Sequence, residues 1–270
     1  PTAIGSHKIA SALAAGAPCI MKPSEWAPHS AIMMAKAIDK VGLPRGVFQL
    51  TLGNRVIGSQ MVADQRIQAV SFTGGLAGGR AIARACADDF KPTQLELGGN
   101  NALVVFEDAD LEEAATGIVF GMTNLNAQWC RALGRLIVDH RIKDALLERV
   151  LEKLKAIKLG NSLAEDSEMG PMVHAGQYQS ILADIDKLTS KGGKALSATP
   201  LPDLKGYFIA PTLIDGCAPA DTIDEIFGPV ACVHSFTNER EALALANGQW
   251  PLATGHWPMT MAMAMAMAMA

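Results

Sequence analysis

The sequence predicts an α/β protein in which a parallel sheet is covered by helices. Three observations point there. Strand-like and helix-like segments alternate in a βαβαβ rhythm from Pro18 to Cys86. The strand-like segments are short and apolar on both faces, as buried parallel strands are. A glycine-rich stretch, Gly74-Gly75-Leu76-Ala77-Gly78-Gly79, joins a strand to a helix, at the edge where such sheets present their ligand-facing turns.

Each element has a local reason. Ser6 is placed as the cap of a helix that runs through Ala15 and stops at Gly16. Pro18 to Met21 reads as a buried strand ending in the turn Lys22-Pro23-Ser24-Glu25. A second helix, from about His29 to Val41, stops at Gly42-Leu43-Pro44, since the residue before proline disfavours the helical region. Val47 to Thr51 is a strand, Val56 to Val62 a helix and Ile67 to Phe72 a strand; the glycine-rich turn then leads into a helix through Cys86. After Gln94-Leu95-Glu96-Leu97-Gly98-Gly99 comes a strand, Ala102 to Phe106. Next is a helix starting near Asp110, whose acids suit a helix N-terminus. Leu136 to Val138 is a strand, Lys143 to Ile157 an amphipathic helix and Gly160 to Gly170 a polar loop. A domain boundary is expected near Gly98-Gly99. The alternating run from Met259 to Ala270 carries six of the thirteen methionines, lacks a polar face and is set aside as an artefactual tail.

Composition narrows the function. A net charge of −4, with 49% hydrophobic and 19% charged residues, fits a globular chain and gives no basic stripe for nucleic acid. No apolar stretch reaches the ~20 residues that span a bilayer, so no membrane partner is expected. No basic segment followed by an apolar one opens the chain as a secretion signal would. Five widely spaced cysteines without a C-x-x-C pair, and six histidines without H-E-x-x-H, point away from a disulfide framework and a metal site. Reduced thiols in a cytoplasmic setting are expected.

Four local signals carry chemistry. The glycines at 74, 75, 78 and 79 fit a pyrophosphate cradle at a helix N-terminus, or simply a flexible turn. Lys22 and Glu25 sit in a strand-to-helix turn, facing a ligand or solvent. Cys130, after Asn126-Ala127-Gln128-Trp129, is a nucleophile or a small buried hydrophobe. Glu96 interrupts an apolar strand, where a carboxylate is costly unless paired or functional.

The ordered set is more specific than its parts. Lys22-Pro23-Ser24-Glu25, Phe72-Thr73-Gly74, Leu95-Glu96-Leu97-Gly98-Gly99, Gln128-Trp129-Cys130 and Glu225-Ile226-Phe227-Gly228-Pro229-Val230 follow one another, with Glu96 and Cys130 34 residues apart. This set resembles the NAD(P)-dependent aldehyde dehydrogenase family, from Pro1 to about Thr254. The resemblance implies a partial Rossmann-like cofactor domain over 1–97 and a partial α/β catalytic domain over 98–258. It also implies oxidation of a small-molecule aldehyde to a carboxylic acid, in a parent chain that forms a homo-oligomer. By that resemblance Cys130 attacks the aldehyde and Glu96 activates the water that hydrolyses the thioester, a task suited to a carboxyl in an apolar setting. Lys22 and Glu25 match the pair at the adenosine ribose, where a carboxylate favours NAD while leaving NADP possible. Glu225 matches the residue on the nicotinamide ribose and Phe227 the one flanking the nicotinamide. Thr73, Gly74, Gly75, Gly79 and Leu97 complete the cofactor set, with Gly79 permitting close packing of the following helix.

Three departures from the family pattern bear on activity. The Trp-Asn-Phe that usually precedes the proline aligned with Pro1 falls outside this chain, and its Asn is an oxyanion donor whose loss typically costs ~10²–10³ in turnover. Phe72-Thr73-Gly74-Gly75 stands where the family has Phe-Thr-Gly-Ser. Leu125 and Ala127 occupy the Asn and Gly positions of Asn-x-Gly-Gln-x-Cys, and a Cβ in place of glycine strains the loop that aims the thiol. Two alternatives therefore stay open. One is an inactive remnant that only binds dinucleotide or a partner. The other is a dehydrogenase that passes its thioester to coenzyme A, against which the water-activating Glu96 argues.

Overall fold

The computed structural model describes residues 2–247; the Met-Ala tail and residue 1 lie outside them. The chain divides between Gly98 and Gly99 into two compact units.

The first unit runs α1 (Thr2–Ala14), β1 (Cys19–Met21), α2 (His29–Val41), β2 (Phe48–Leu50), α3 (Arg55–Ala63), β3 (Val70–Gly74), α4 (Leu76–Ala87) and β4 (Thr93–Leu97). The expected alternation is present, but the strands form two parallel pairs, β1 with β2 and β3 with β4, in place of one sheet. Ser6 is not a cap. The helix already begins at Thr2, and the Ser6 hydroxyl donates back to the Thr2 carbonyl at 2.9 Å. The third strand starts at Val70 rather than Ile67, because Asp64 turns the chain first and its carbonyl accepts from Ile67 N–H. Gly42 does end α2, with φ 79° in the left-handed region that only glycine enters cheaply. The C-terminus of α3 is closed by Lys91, whose buried ammonium donates to the carbonyls of Val62 (2.8 Å) and Asp64 (2.9 Å).

The second unit comprises β5 (Ala102–Val105), α5 (Leu111–Thr123), β6 (Arg135–Asp139), α6 (Lys143–Ala156), α7 (Ala175–Ser190), β7 (Lys194–Leu196), β8 (Thr212–Asp215), β9 (Val230–Phe236) and α8 (Glu239–Asn247). Its five strands are ordered β5-β6-β9-β8-β7, all parallel except β7. Asp110 caps α5 by accepting from the N–H groups of Glu112 and Glu113. Every residue of β6 is buried. Leu136 and Val138 join a core with Ile118 and Met122 of α5 and Leu146, Val150 and Leu154 of α6, while Ile137 packs with Phe236 and Ala242. Ile181 and Leu188 of α7 build a further cluster with Ile214 and Cys232. At roughly 1.5–3 kcal/mol for each large side chain fully buried, this sheet is the rigid part on which loops can be fixed. No helix among the described residues is long and apolar enough to cross a membrane.

Candidate active site

The candidate residues divide between the two units. On the first unit, β3 and β4 pair in register, so Thr73 lies beside Glu96 and Gly74 beside Leu97. Side chains alternate along a strand. Leu95 and Leu97 therefore turn to one half-buried face, and Glu96 stands exposed on the other with Ser71, Thr73 and Gln94. This corrects the apolar setting expected for Glu96: the period-two alternation gives it polar neighbours. Lys8 of α1 joins that face, its ammonium donating to the Ser71 hydroxyl at 2.5 Å, which in turn donates to Gln94 Oε1 at 2.7 Å. Burial holds the Lys8 pKa below its ordinary value, and the nearby Glu96 pulls the other way. Sequence reasoning missed Lys8, since its position in α1 carries no motif.

The glycine-rich stretch is only partly a turn. Gly75 precedes α4 with extended backbone, and no side chain caps the helix. Gly78 and Gly79 lie within its first turns, where a Cβ on Gly79 would come within 2.5 Å of Leu97 Cδ2. Gly79 thus seats the helix on β4, and the side chain of Leu97 is engaged in that packing. Among the described residues no side chain caps the first N–H groups of α4, which, as at any uncapped helix start, can receive an anion. In the loop between β1 and α2, the half-buried Lys22 donates to the carbonyls of Pro23 (2.8 Å) and Gly53 (2.9 Å), and Glu25 is exposed. Two of the three Lys22 donors are thereby already used.

On the second unit, α5 ends in a left-handed turn. Leu125, Asn126 and Ala127 have φ of 52°, 58° and 52°, unusual for three consecutive non-glycine residues. Ala127 is fully buried there, so the departure from glycine falls on a position whose backbone favours glycine. The turn is held from outside: Asn126 Oδ1 accepts from Gly170 N–H (2.8 Å), and Gln128 Oε1 accepts from Val173 N–H (3.1 Å). Cys130 follows and is exposed, while Cys86, Cys217 and Cys232 are buried and Cys19 is half-buried. Burial pushes the thiols of Cys19 and Cys217 up and that of Cys232 up to about 12. Asn101 donates from its side-chain amide to the carbonyls of Cys130 (2.7 Å) and Ala132 (2.9 Å). Trp129 packs edge-on against Phe120 at 6.4 Å, and its buried indole N–H has no hydrogen-bond partner among the described residues.

The segment Thr222–Pro229 enters β9. Asn100 Nδ2 donates to the Thr222 carbonyl at 2.7 Å, and Gln177 Nε2 to the Phe227 carbonyl at 2.8 Å. Glu225 is half-buried; burial pushes its carboxyl up, partly offset by the Gly99 N–H that donates to it. Phe227 is 38% exposed, a large ring left partly open. The two asparagines that bond to these loops, Asn100 and Asn101, carry no signal in the sequence.

The aldehyde dehydrogenase family model matches residues 1–267. The chain belongs to the aldehyde dehydrogenase family. It is similar to peroxisomal aminoaldehyde dehydrogenase 1 of Malus domestica, 40% identical over 252 residues, which are 92% of this chain and 50% of that one. A betaine aldehyde dehydrogenase of Cereibacter sphaeroides is 36% identical over 258 residues, covering 94% of this chain and 53% of the relative. Among solved structures, betaine aldehyde dehydrogenase from Staphylococcus aureus in complex with NAD+ superposes with a TM-score of 0.86 at 35% identity. The match covers 90% of this chain and 50% of that one. The chain thus spans about half the length of the curated relatives it matches.

One buried group of the second unit makes stability depend on pH. His234 of β9 is buried, with Nε2 2.9 Å from the Thr222 hydroxyl. Burial, aided by Arg135 and Lys143 and opposed by Asp215, lowers its pKa to about 4 from an ordinary 6.5. The folded ring stays neutral while the unfolded one takes a proton, so stability is lost as pH falls from 6.5 towards 4, by up to about 3 kcal/mol. Urea denaturation between pH 7.5 and 4.5 should record this loss. His234→Gln, whose amide can donate to or accept from the Thr222 hydroxyl, should flatten that part of the slope; an equal slope in the variant contradicts the assignment.

Proposed function

We propose that this chain carries the nucleophile and base of an NAD-dependent aldehyde dehydrogenase, which oxidises an aldehyde to its acid through a thioester on Cys130. The observation that carries the reading is Cys130 itself. It is the exposed thiol of the five, it follows a turn braced by Asn126, Gln128 and Asn101, and its N–H makes no hydrogen bond among the described residues. The thiolate attacks the carbonyl carbon, and the Cys130 N–H donates to the developing oxyanion, a role its lack of a partner among the described residues supports. Glu96 takes a proton from the water that hydrolyses the thioester, with Thr73 and Lys8 on the same polar face of its unit.

The residues present suit a dinucleotide. The uncapped start of α4 after Gly75 offers N–H groups to a pyrophosphate, the exposed Glu25 offers a carboxylate to ribose hydroxyls, and Glu225 and Phe227 offer a carboxylate and a ring to the nicotinamide end. When bound, the dinucleotide supplies the hydride acceptor. Lys22, with two of its donors spent on carbonyls, contributes less than the resemblance implied. Glu25 would repel a 2′-phosphate, which favours NAD over NADP. Five free thiols support a reducing, cytoplasmic setting.

The names of the relatives supply the first substrates, an aminoaldehyde and betaine aldehyde, and the Trp129–Phe120 pair beside the nucleophile offers ring faces to such a cation. The test is formation of reduced dinucleotide from these aldehydes with NAD, with NADP, and with NAD plus coenzyme A. The expected result is turnover with NAD, at least about tenfold less with NADP, and no acceleration by coenzyme A. Preference for NADP overturns the role of Glu25, and a coenzyme A requirement overturns that of Glu96.

A further inference from the structure

Asn101 stands just before β5 and binds the nucleophile loop through both of its polar ends. Its side-chain amide donates one N–H to the Cys130 carbonyl and one to the Ala132 carbonyl, at 2.7 and 2.9 Å. Its backbone carbonyl accepts from the N–H groups of Gly134 (3.2 Å) and Arg135 (2.9 Å). Both side-chain donors of the amide are therefore spent on the residues that carry and follow the thiol. Among the described residues the loop's other backbone ties are Ala132 N–H to the Trp129 carbonyl at 3.0 Å, Leu133 N–H to the Gly121 carbonyl at 3.0 Å and, at its far end, Cys232 N–H to the Gly134 carbonyl at 2.9 Å. Asn101 itself is anchored, because β5 pairs with the wholly buried β6 in register from Ala102 to Val105. The neighbouring Asn100 faces the other way, to Thr222, with its Oδ1 so close to Gly134 that any Cβ there would collide with it.

We propose that Asn101 is the positioning residue of the nucleophile loop, fixing the peptide plane after Cys130 and with it the aim of the thiol and of the Cys130 N–H. The proposal rests on the reading of Cys130 as nucleophile. Chemistry selects the amide for this place. Serine offers one donor in place of two, and aspartate, of the same size, turns carboxylate oxygens towards two carbonyl oxygens. A space-filling role would tolerate aspartate; a donor role does not.

The experiment compares Asn101→Asp, Asn101→Ala and Asn101→Ser in steady-state turnover and in amide hydrogen exchange of the same chain. The expected result is a fall in kcat of about 10- to 100-fold for the aspartate and alanine variants, with KM for NAD held within about twofold, since the loop is mis-aimed and not removed. Exchange of residues 129–135 should quicken by about tenfold without change in α6 or β9, and serine should recover part of both effects. Serine also serves if the other two variants fail to fold. Unchanged kcat in the aspartate and alanine variants, beside an inactive Cys130→Ala, overturns the proposal. If Cys130→Ala turns over, the nucleophile assignment fails instead. In that case, or in a chain without turnover, exchange alone decides the tether: an unaltered rate at 129–135 overturns it.

Discussion

Replacing Cys130 by alanine should remove the proposed aldehyde-dependent reduction of NAD, by at least about a thousandfold, because the other four thiols are poorly suited to take over the covalent step. The loss is expected without loss of the fold. Cys130 is exposed, and the bonds that fix its loop go to its carbonyl and not to its sulfur. Stability should therefore change by no more than about 0.5 kcal/mol, as for other surface substitutions. The remaining cysteines make poor substitutes: Cys217 and Cys232 are buried within packed clusters, with their thiols pushed up by that burial. Stopped-flow and steady-state absorbance on the variant, with thermal unfolding as the control, check this. Turnover retained in a folded Cys130→Ala chain removes the nucleophile.

Glu96→Gln separates the two halves of the reaction. Glutamine matches glutamate in size and can hold the same place beside Thr73, but it cannot take a proton from water. Hydrolysis of the thioester should slow by about 10²- to 10⁴-fold, the usual weight of a general base, while formation of the thioester slows far less. The variant should give a burst of NADH near one per active chain, followed by a very slow steady state. A burst that disappears with the steady state places Glu96 before acylation and contradicts its role as the base for water.

The first unit and its motifs were largely legible because their signals are local. Gly42 ends α2 through its own φ, and Gly79 packs on Leu97 of the adjoining strand. The apolar setting expected for Glu96 fails because strand alternation sends its neighbours Leu95 and Leu97 to the opposite face. Ser6 was misread because a serine inside a helix carries the same signal as one at its start. Beyond Gly170 the elements were not readable. Strand β7 has three residues, and β9, paired on both sides, has only one exposed position and so no alternation to detect.

The candidate site was legible in its motif residues and not in the side chains that brace them. Cys130, Glu96 and Glu225 belong to motifs. Asn100 and Asn101 act on carbonyls 29 to 122 residues away, and a carbonyl looks the same in every residue. His234 shows the same limit: its lowered pKa follows from burial in β9 beside Arg135, which no sequence pattern announces. The strained turn at Ala127 lay between these cases. The unusual residue was visible in the sequence, and its φ of 52° needed the structure.

The most direct measurement is the mass of the Cys130 peptide after Glu96→Gln chain has been mixed with aldehyde and NAD and quenched in acid. An acyl group should appear on Cys130, in amount equal to the NADH burst, and only when both reactants are present. An acyl group on another residue, or a burst with Cys130 unmodified, contradicts covalent catalysis by this thiol.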